Sequence, residues 1–135
     1  MYPIKILALI PLLLLMDGAL AQSVDLLVTQ SNLNATVCSP GYTDLVRPSS
    51  SFIRRARREL SARTPTDPAK KYVVDHIVPL SVGGSPADMR NLALQERSES
   101  VLKDRVENRV HHQLCNGTRS LRSAQRCFSE WRACQ

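Results

Sequence analysis

The sequence predicts an α+β domain reinforced by disulfides. Two short runs, Tyr72-Val73-Val74 and Asn91-Leu92-Ala93-Leu94, read as strands on either side of a loop punctuated by Pro79, Gly83-Gly84 and Pro86. A longer stretch follows in which Leu102, Val106, Val110 and Leu114 recur every four residues, the spacing of an amphipathic helix. Four cysteines stand in a chain of 135 residues, a usage that suits a small exported domain whose core needs covalent support.

The elements follow in order. Residues 1–21 carry Lys5, a leucine-dominated run from Ile6 to Met16 and the small-x-small triplet Ala19-Leu20-Ala21. That is the pattern of a secretory signal, too short and wrongly flanked for a membrane span. The mature chain is expected from Gln22, roughly 114 residues, enough for a single domain. Residues 22–37 have no convincing period and read as a leader, with the domain proper at 38–135. Cys38-Ser39-Pro40-Gly41-Tyr42 is a turn, and Val46-Arg47-Pro48 is extended because the residue before proline avoids helical backbone. Ser49, Ser50 and Ser51 offer N-caps for a helix to about Ala62, with Phe52, Ala56 and Leu60 on its inner face. Two prolines between Thr64 and Pro68 break it. The first strand ends at Asp75-His76. Ser98 caps the long helix, and Asn116-Gly117 ends it, glycine supplying the left-handed cap. Ser120 caps a last helix whose inner face holds Leu121, Ala124, Phe128 and Trp131. The aromatic pair reads as core in preference to a stacking surface.

Net charge is +6 with arginine dominant, which favours polyanionic partners. The cluster Arg54-Arg55-Ala56-Arg57-Arg58 suits a phosphate-binding face, a solvated helix face or a processing site. Lys103 suits a phosphate contact, or pairing with Glu99 and Glu107 on a solvated face. Asp75-His76 is the pair with chemical potential. A carboxylate at a strand end is a hard oxygen ligand for magnesium or manganese, and an imidazole titrating near neutrality can take a proton from water. The amide of Asn91 can donate and accept at once, so it could pin the glycine loop and fix His76. Alone, Asp75-His76 would equally serve as a helix cap or a buried polar pair. His111-His112 near a helix C-terminus reads as surface. Four cysteines allow three pairings, and their scatter, without C-x-x-C knuckles, speaks against zinc.

The ordered set Asp75-His76-Ile77-Val78-Pro79-Leu80, Gly83-Gly84 and Asn91-Leu92 resembles the signature of HNH endonucleases, the ββα-metal fold. Cys38 to Thr43, Val46-Arg47-Pro48, Lys103 to Asn108, Cys115-Asn116-Gly117, Ala124-Gln125 and Trp131 extend the similarity to small exported members of that family. The resemblance implies a ββα-metal core with flanking helices. It implies Asp75 as metal ligand, His76 as general base and Asn91 as loop-fixing residue. The third signature position, His or Asn in the family, falls on Ser100, whose neutral hydroxyl is a weaker ligand; Glu99 is the neighbouring substitute. The implied cofactor is one divalent ion, magnesium or manganese first, zinc or calcium next. The implied pairing is Cys38 with Cys115, leaving Cys127 with Cys134. Those last two would sit about 10.5 Å apart in an unbroken helix, so the tail must fold back or the pairing differ. The expected activity is secreted, weakly sequence-specific hydrolysis of DNA or RNA phosphodiesters by a monomer, with Arg47, Arg54, Arg58, Lys103 and Arg105 on the nucleic-acid backbone and no membrane partner for the mature chain. The alternatives are a catalytically impaired polyanion-binding protein on the same fold, or a small disulfide-bonded effector.

Overall fold

The computed structural model of the chain describes residues 23–134. The expected signal segment lies outside the described residues. The elements are α1 (Tyr42–Val46), α2 (Ser50–Arg63), β1 (Tyr72–His76), β2 (Leu92–Glu96), α3 (Arg97–Cys115) and α4 (Leu121–Cys127), with 3-10 turns at Leu33–Ala35, Leu80–Val82, Met89–Asn91 and Phe128–Ala133. The fold is α+β. β1 and β2 form a two-stranded antiparallel sheet in the register Tyr72↔Glu96 to His76↔Leu92. α3 follows β2 without a loop and packs against both strands.

Two stretches of core position these elements. Ala56, Leu60 and Leu92 are buried together, which seats α2 on the sheet with Phe52, Val74 and Leu94 around them. The larger core joins Val78 and Val82 of the loop to Val110 and Leu114 of α3 and to Leu121, Ala124 and Phe128 at the C-terminal end. Val28, Leu33 and Val37 belong to that core. Residues 23–37 are thus packed structure, tied by an isolated bridge between Val24 and Gly84. No period announces them because the backbone there is irregular and Val28, Leu33 and Val37 are buried singly, between exposed residues such as Leu26 and Leu27.

The helix ends follow local chemistry. The Ser49 hydroxyl accepts from the Phe52 amide and starts α2, and the Ser120 hydroxyl accepts from the Ser123 amide and starts α4. Gly117 takes φ 81° beyond the end of α3, and the Thr118 amide turns back to the Gln113 carbonyl at 3.0 Å. α3 begins one residue before the expected cap. Its N-cap is Glu96, and the Ser98 hydroxyl donates to that carboxylate instead. The expected inner face of α3 also needs correction. Leu102 is exposed, and Lys103, Val110 and Leu114 are buried. A four-residue step overshoots the helix turn by about 40°, so Leu102 lies about 120° from Leu114, whereas Lys103 lies within about 20° of both Val110 and Leu114.

Disulfides join Cys38 to Cys115 and Cys127 to Cys134, with Cα separations of 5.6 and 5.2 Å. The second is possible because the helical path breaks. Glu130 adopts φ −145°, ψ 71° inside the last 3-10 turn, and the tail folds back. No helix among the described residues is long and apolar enough to cross a membrane.

Candidate functional site

Asp75 and His76 close β1 opposite Ala93 and Leu92. The chain then turns through Pro79 to Pro86 and returns into β2, and Asn91 holds that turn shut. Its side chain is fully buried. Its Oδ1 accepts the Val78 amide at 2.8 Å, and its Nδ2 donates to the carbonyls of Val78 and Ser85 at 3.0 and 2.9 Å. Its own carbonyl accepts the Ile77 amide at 2.8 Å. One amide therefore satisfies both ends of the loop, which is what buried backbone groups require. Gly84 makes the closure sterically possible: a Cβ there would stand 1.8 Å from the Val78 carbonyl oxygen.

The loop in turn fixes His76. Its Nε2 lies 2.8 Å from the Pro86 carbonyl oxygen. A carbonyl only accepts, so Nε2 carries the proton and Nδ1 keeps the lone pair in the neutral ring. Burial holds the His76 pKa below the ordinary imidazole value, with Lys103 and Arg47 pushing the same way, against the Pro86 hydrogen bond and Asp75. The ring is neutral at neutral pH, with a free base at Nδ1.

Asp75 is held at both oxygens. Oδ1 accepts the amide of His76 at 2.9 Å, and Oδ2 accepts the ammonium of Lys103 at 2.8 Å. The same ammonium donates to the His76 carbonyl. The sequence places Lys103 on the surface, as a phosphate contact or paired with Glu99 and Glu107; it is 3% exposed and bonds instead to Asp75. Its chemistry explains the burial, because an ammonium leaves water only where a carboxylate and a carbonyl replace its hydration.

Two clefts share Asp75 and His76. The first is strongly polar, its far wall made by Asp104, Glu107, Asn108 and His111 of α3 and its rim by Thr43 and Arg47. Glu107 accepts the Ser81 hydroxyl at 2.6 Å. Burial raises its pKa, opposed by that hydrogen bond and by Lys103. The second cleft, lined by Ile77, Gln95, Lys103, Phe128, Trp131 and Arg132 among others, is more apolar. Arg47 is the expected phosphate contact that reaches the His76 cleft. Arg54, Arg58 and Arg105 are exposed and line neither cleft.

Glu99 and Ser100, expected to supply a metal ligand, line neither cleft. The Ser100 hydroxyl donates to the Arg97 carbonyl within its own helix, and the Glu99 carboxylate pairs with Arg132. The α3 residues that do face Asp75 and His76 begin at Lys103, in the second cleft, and at Asp104, in the polar one. His111, read as surface, lines the polar cleft with its Nε2 2.8 Å from the Val37 carbonyl. The signal for this face was in the sequence: Asp104, Asn108 and His111 are spaced i, i+4, i+7. Cys38, His111 and Cys115 bring ligand atoms within 4.8 Å of one another, yet both sulfurs are spent on the disulfide. A further basic groove, missed in the sequence, is lined by Arg57, Lys71, Tyr72 and Arg97. It lies at the other end of β1, about 13 Å from His76 at 3.3 Å per residue. No protein-family model, no curated protein and no solved structure matches this chain.

Proposed function

We propose that this chain is an exported, metal-dependent endonuclease of the HNH type that hydrolyses nucleic-acid phosphodiesters with little sequence preference. The observation that carries the reading is the His76 imidazole: neutral, oriented through Nε2 by Pro86 and the Asn91-closed loop, and lining the same polar cleft as Asp75. Nδ1 accepts the proton of the attacking water, and the depressed pKa keeps it available at neutral pH. Arg47, on the rim of the same cleft, attracts and orients the phosphate. The oxygen-rich donor set fits magnesium or manganese, which are commonly held by one or two carboxylates with water and substrate phosphate completing the shell. Asp75 would hold the ion, with Asp104, Glu107 and Asn108 facing it from α3; bound there, it would polarise the phosphoryl oxygen. Zinc fits less well, because it asks for three converging protein ligands, and the one such trio among the described residues contains the disulfide cysteines. The two disulfides and the expected signal segment agree with export.

A second reading, polyanion binding without cleavage, is favoured by the Lys103 ammonium, which already neutralises Asp75. One experiment separates them. Oxidised wild type and His76→Ala are incubated with plasmid DNA and with RNA in magnesium, manganese, calcium, zinc or EDTA. Metal-dependent cutting that falls at least about 100-fold in His76→Ala supports the nuclease. Folded wild type that binds and cuts neither substrate in any metal leaves the binding protein.

A further inference from the structure

The second cleft beside His76 has a composition that phosphate chemistry does not explain. Its cations are already engaged: Lys103 bonds to Asp75, and Arg132 pairs with Glu99. Glu130 adds a negative charge to its wall. A phosphate would find no free positive charge there. What the cleft offers is flat and amphipathic. Trp131 is half-buried, with one part packed against the main core. The Arg132 guanidinium lies 4.6 Å from the centroid of its ring, a cation–π contact, and its other partner is the Glu99 carboxylate. Ile77, 37% exposed, lines the cleft with Phe128, and Gln95 supplies an amide able to donate and accept.

The chain has one tryptophan, and specific devices bring it here. The break at Glu130 turns the tail, and the Cys127–Cys134 disulfide holds the returned segment against α4. Without that reversal Trp131 would continue along α4 and leave the cleft without its wall.

We propose that this cleft is a nucleobase subsite: an unpaired base next to the scissile phosphodiester enters it and stacks on the Trp131–Arg132 pair, while the phosphate occupies the polar cleft on the other side of His76. The proposal rests on the endonuclease reading for its substrate class. Aromatic and guanidinium planes are the groups on which splayed bases stack, and such stacking tolerates any base. The two clefts thus divide a nucleotide by chemistry, the charged group to the side of Arg47 and the flat group to the side of Trp131. The subsite favours single-stranded or locally opened substrate, since a paired base is already stacked on its neighbours.

The test uses the oxidised protein in EDTA, so that nothing is cut, and a single-stranded thymidine trinucleotide. A saturable change in tryptophan emission reports the subsite directly, because Trp131 is the sole fluorophore of its kind. The same trinucleotide with spacers in place of bases should bind about ten-fold more weakly or worse. Arg132→Ala, an exposed position, should weaken the base-bearing probe by a similar factor and leave the base-free probe unchanged. Trp131→Ala, followed by anisotropy of a labelled trinucleotide, should do the same if it folds; if it does not, the base-free probe and Arg132→Ala decide. Equal binding of the two probes, or Arg132→Ala binding both like wild type, overturns the subsite. The two readings fail separately. Cutting of plasmid or RNA without base-dependent binding keeps the nuclease and removes the subsite; base-dependent binding without cutting in any metal keeps the subsite and removes the nuclease.

Discussion

Replacing Lys103 by methionine tests whether this lysine is part of the site's scaffold. Methionine keeps most of the unbranched stem and removes the ammonium. The Lys103 side chain is 4% exposed and the Asp75 side chain 28% exposed, so the substitution strands a carboxylate that water reaches only in part. Breaking a buried pair from one side costs roughly 3–5 kcal/mol. The partial exposure of Asp75 places this case near the lower end, and the His76 carbonyl, deprived of its donor, adds about 1 kcal/mol. The expected loss is about 3–4 kcal/mol. At about 4 °C per kcal/mol for a domain of this size, the melting midpoint should fall by roughly 12–16 °C. Thermal melts and urea titrations of the oxidised protein measure it. The double variant with Asp75→Asn then isolates the pair. Asp75→Asn alone leaves the ammonium buried without its partner, so the double variant should be more stable than the sum of the single losses by about 2 kcal/mol. A Lys103→Met protein that melts within about 0.5 kcal/mol of wild type would refute the scaffold argument, and so would strict additivity. Weakened nucleic-acid binding at unchanged stability would restore Lys103 to the surface role expected of a lysine.

Three further outcomes follow from the same geometry. His76 has a folded pKa below its unfolded value, so between the two values the unfolded chain binds more protons. The stability His76 contributes is fully present above the ordinary imidazole pKa and is lost as pH falls through the depressed one; urea unfolding in EDTA at pH 7 and pH 5 should show a smaller loss for His76→Gln than for wild type, and equal losses would sink the assignment of a buried neutral ring. Gly84→Ala puts a methyl against the Val78 carbonyl and should cost about 3 kcal/mol, against about 1 kcal/mol for Gly41→Ala, where φ is 79° but the space is open; similar melting midpoints for the two would show that the loop closes differently. Replacing Arg57, Lys71 and Arg97 together by alanine should reduce the slope of log K against log salt for a single-stranded oligonucleotide by about 2, at 0.7 per phosphate contact, and an unchanged slope would show that the groove at the far end of β1 carries no backbone.

Strand, loop, strand and long helix were legible in order because each carries a strong local signal: β-branched residues at Val73 and Val74, glycines at Gly83 and Gly84, a four-residue apolar repeat before Asn116-Gly117. Asn91 was legible for a related reason, as an amide beside a glycine loop with unpaired backbone at both ends. The helical phase was not. Counting from Asn91 placed the α3 site residue at Ser100, but Ser100 is engaged within its own first turn, and the face toward His76 starts at Lys103 and Asp104. Lys103 marks that face, although its polarity argues against burial until Asp75, 28 residues earlier, is seen to reach it. α1 escaped notice because five residues are too few to establish a period. The basic groove escaped because Arg57, Lys71 and Arg97 come from three separate elements and meet only in the fold.

The disulfides stand where the clefts need walls. In the chain-entropy view, a bridge spanning 77 residues, as Cys38–Cys115 does, stabilises by about 4.5 kcal/mol, and one spanning 7, as Cys127–Cys134 does, by about 2.4 kcal/mol. The first is the larger, and it joins the turn before α1 to the last residue of α3, so the segment bearing Arg47 and the helix bearing His111 are held together around the polar cleft. The second gains less because it closes a short loop, and stabilising the fold is therefore the weaker reason for its position. What it fixes is the reversed tail that carries Trp131 and Arg132 to the opposite side of His76. The hairpin and Asn91 hold Asp75 and His76 in a fixed orientation, and each bridge secures one of the two surfaces between which, on the proposed reading, a nucleotide would lie.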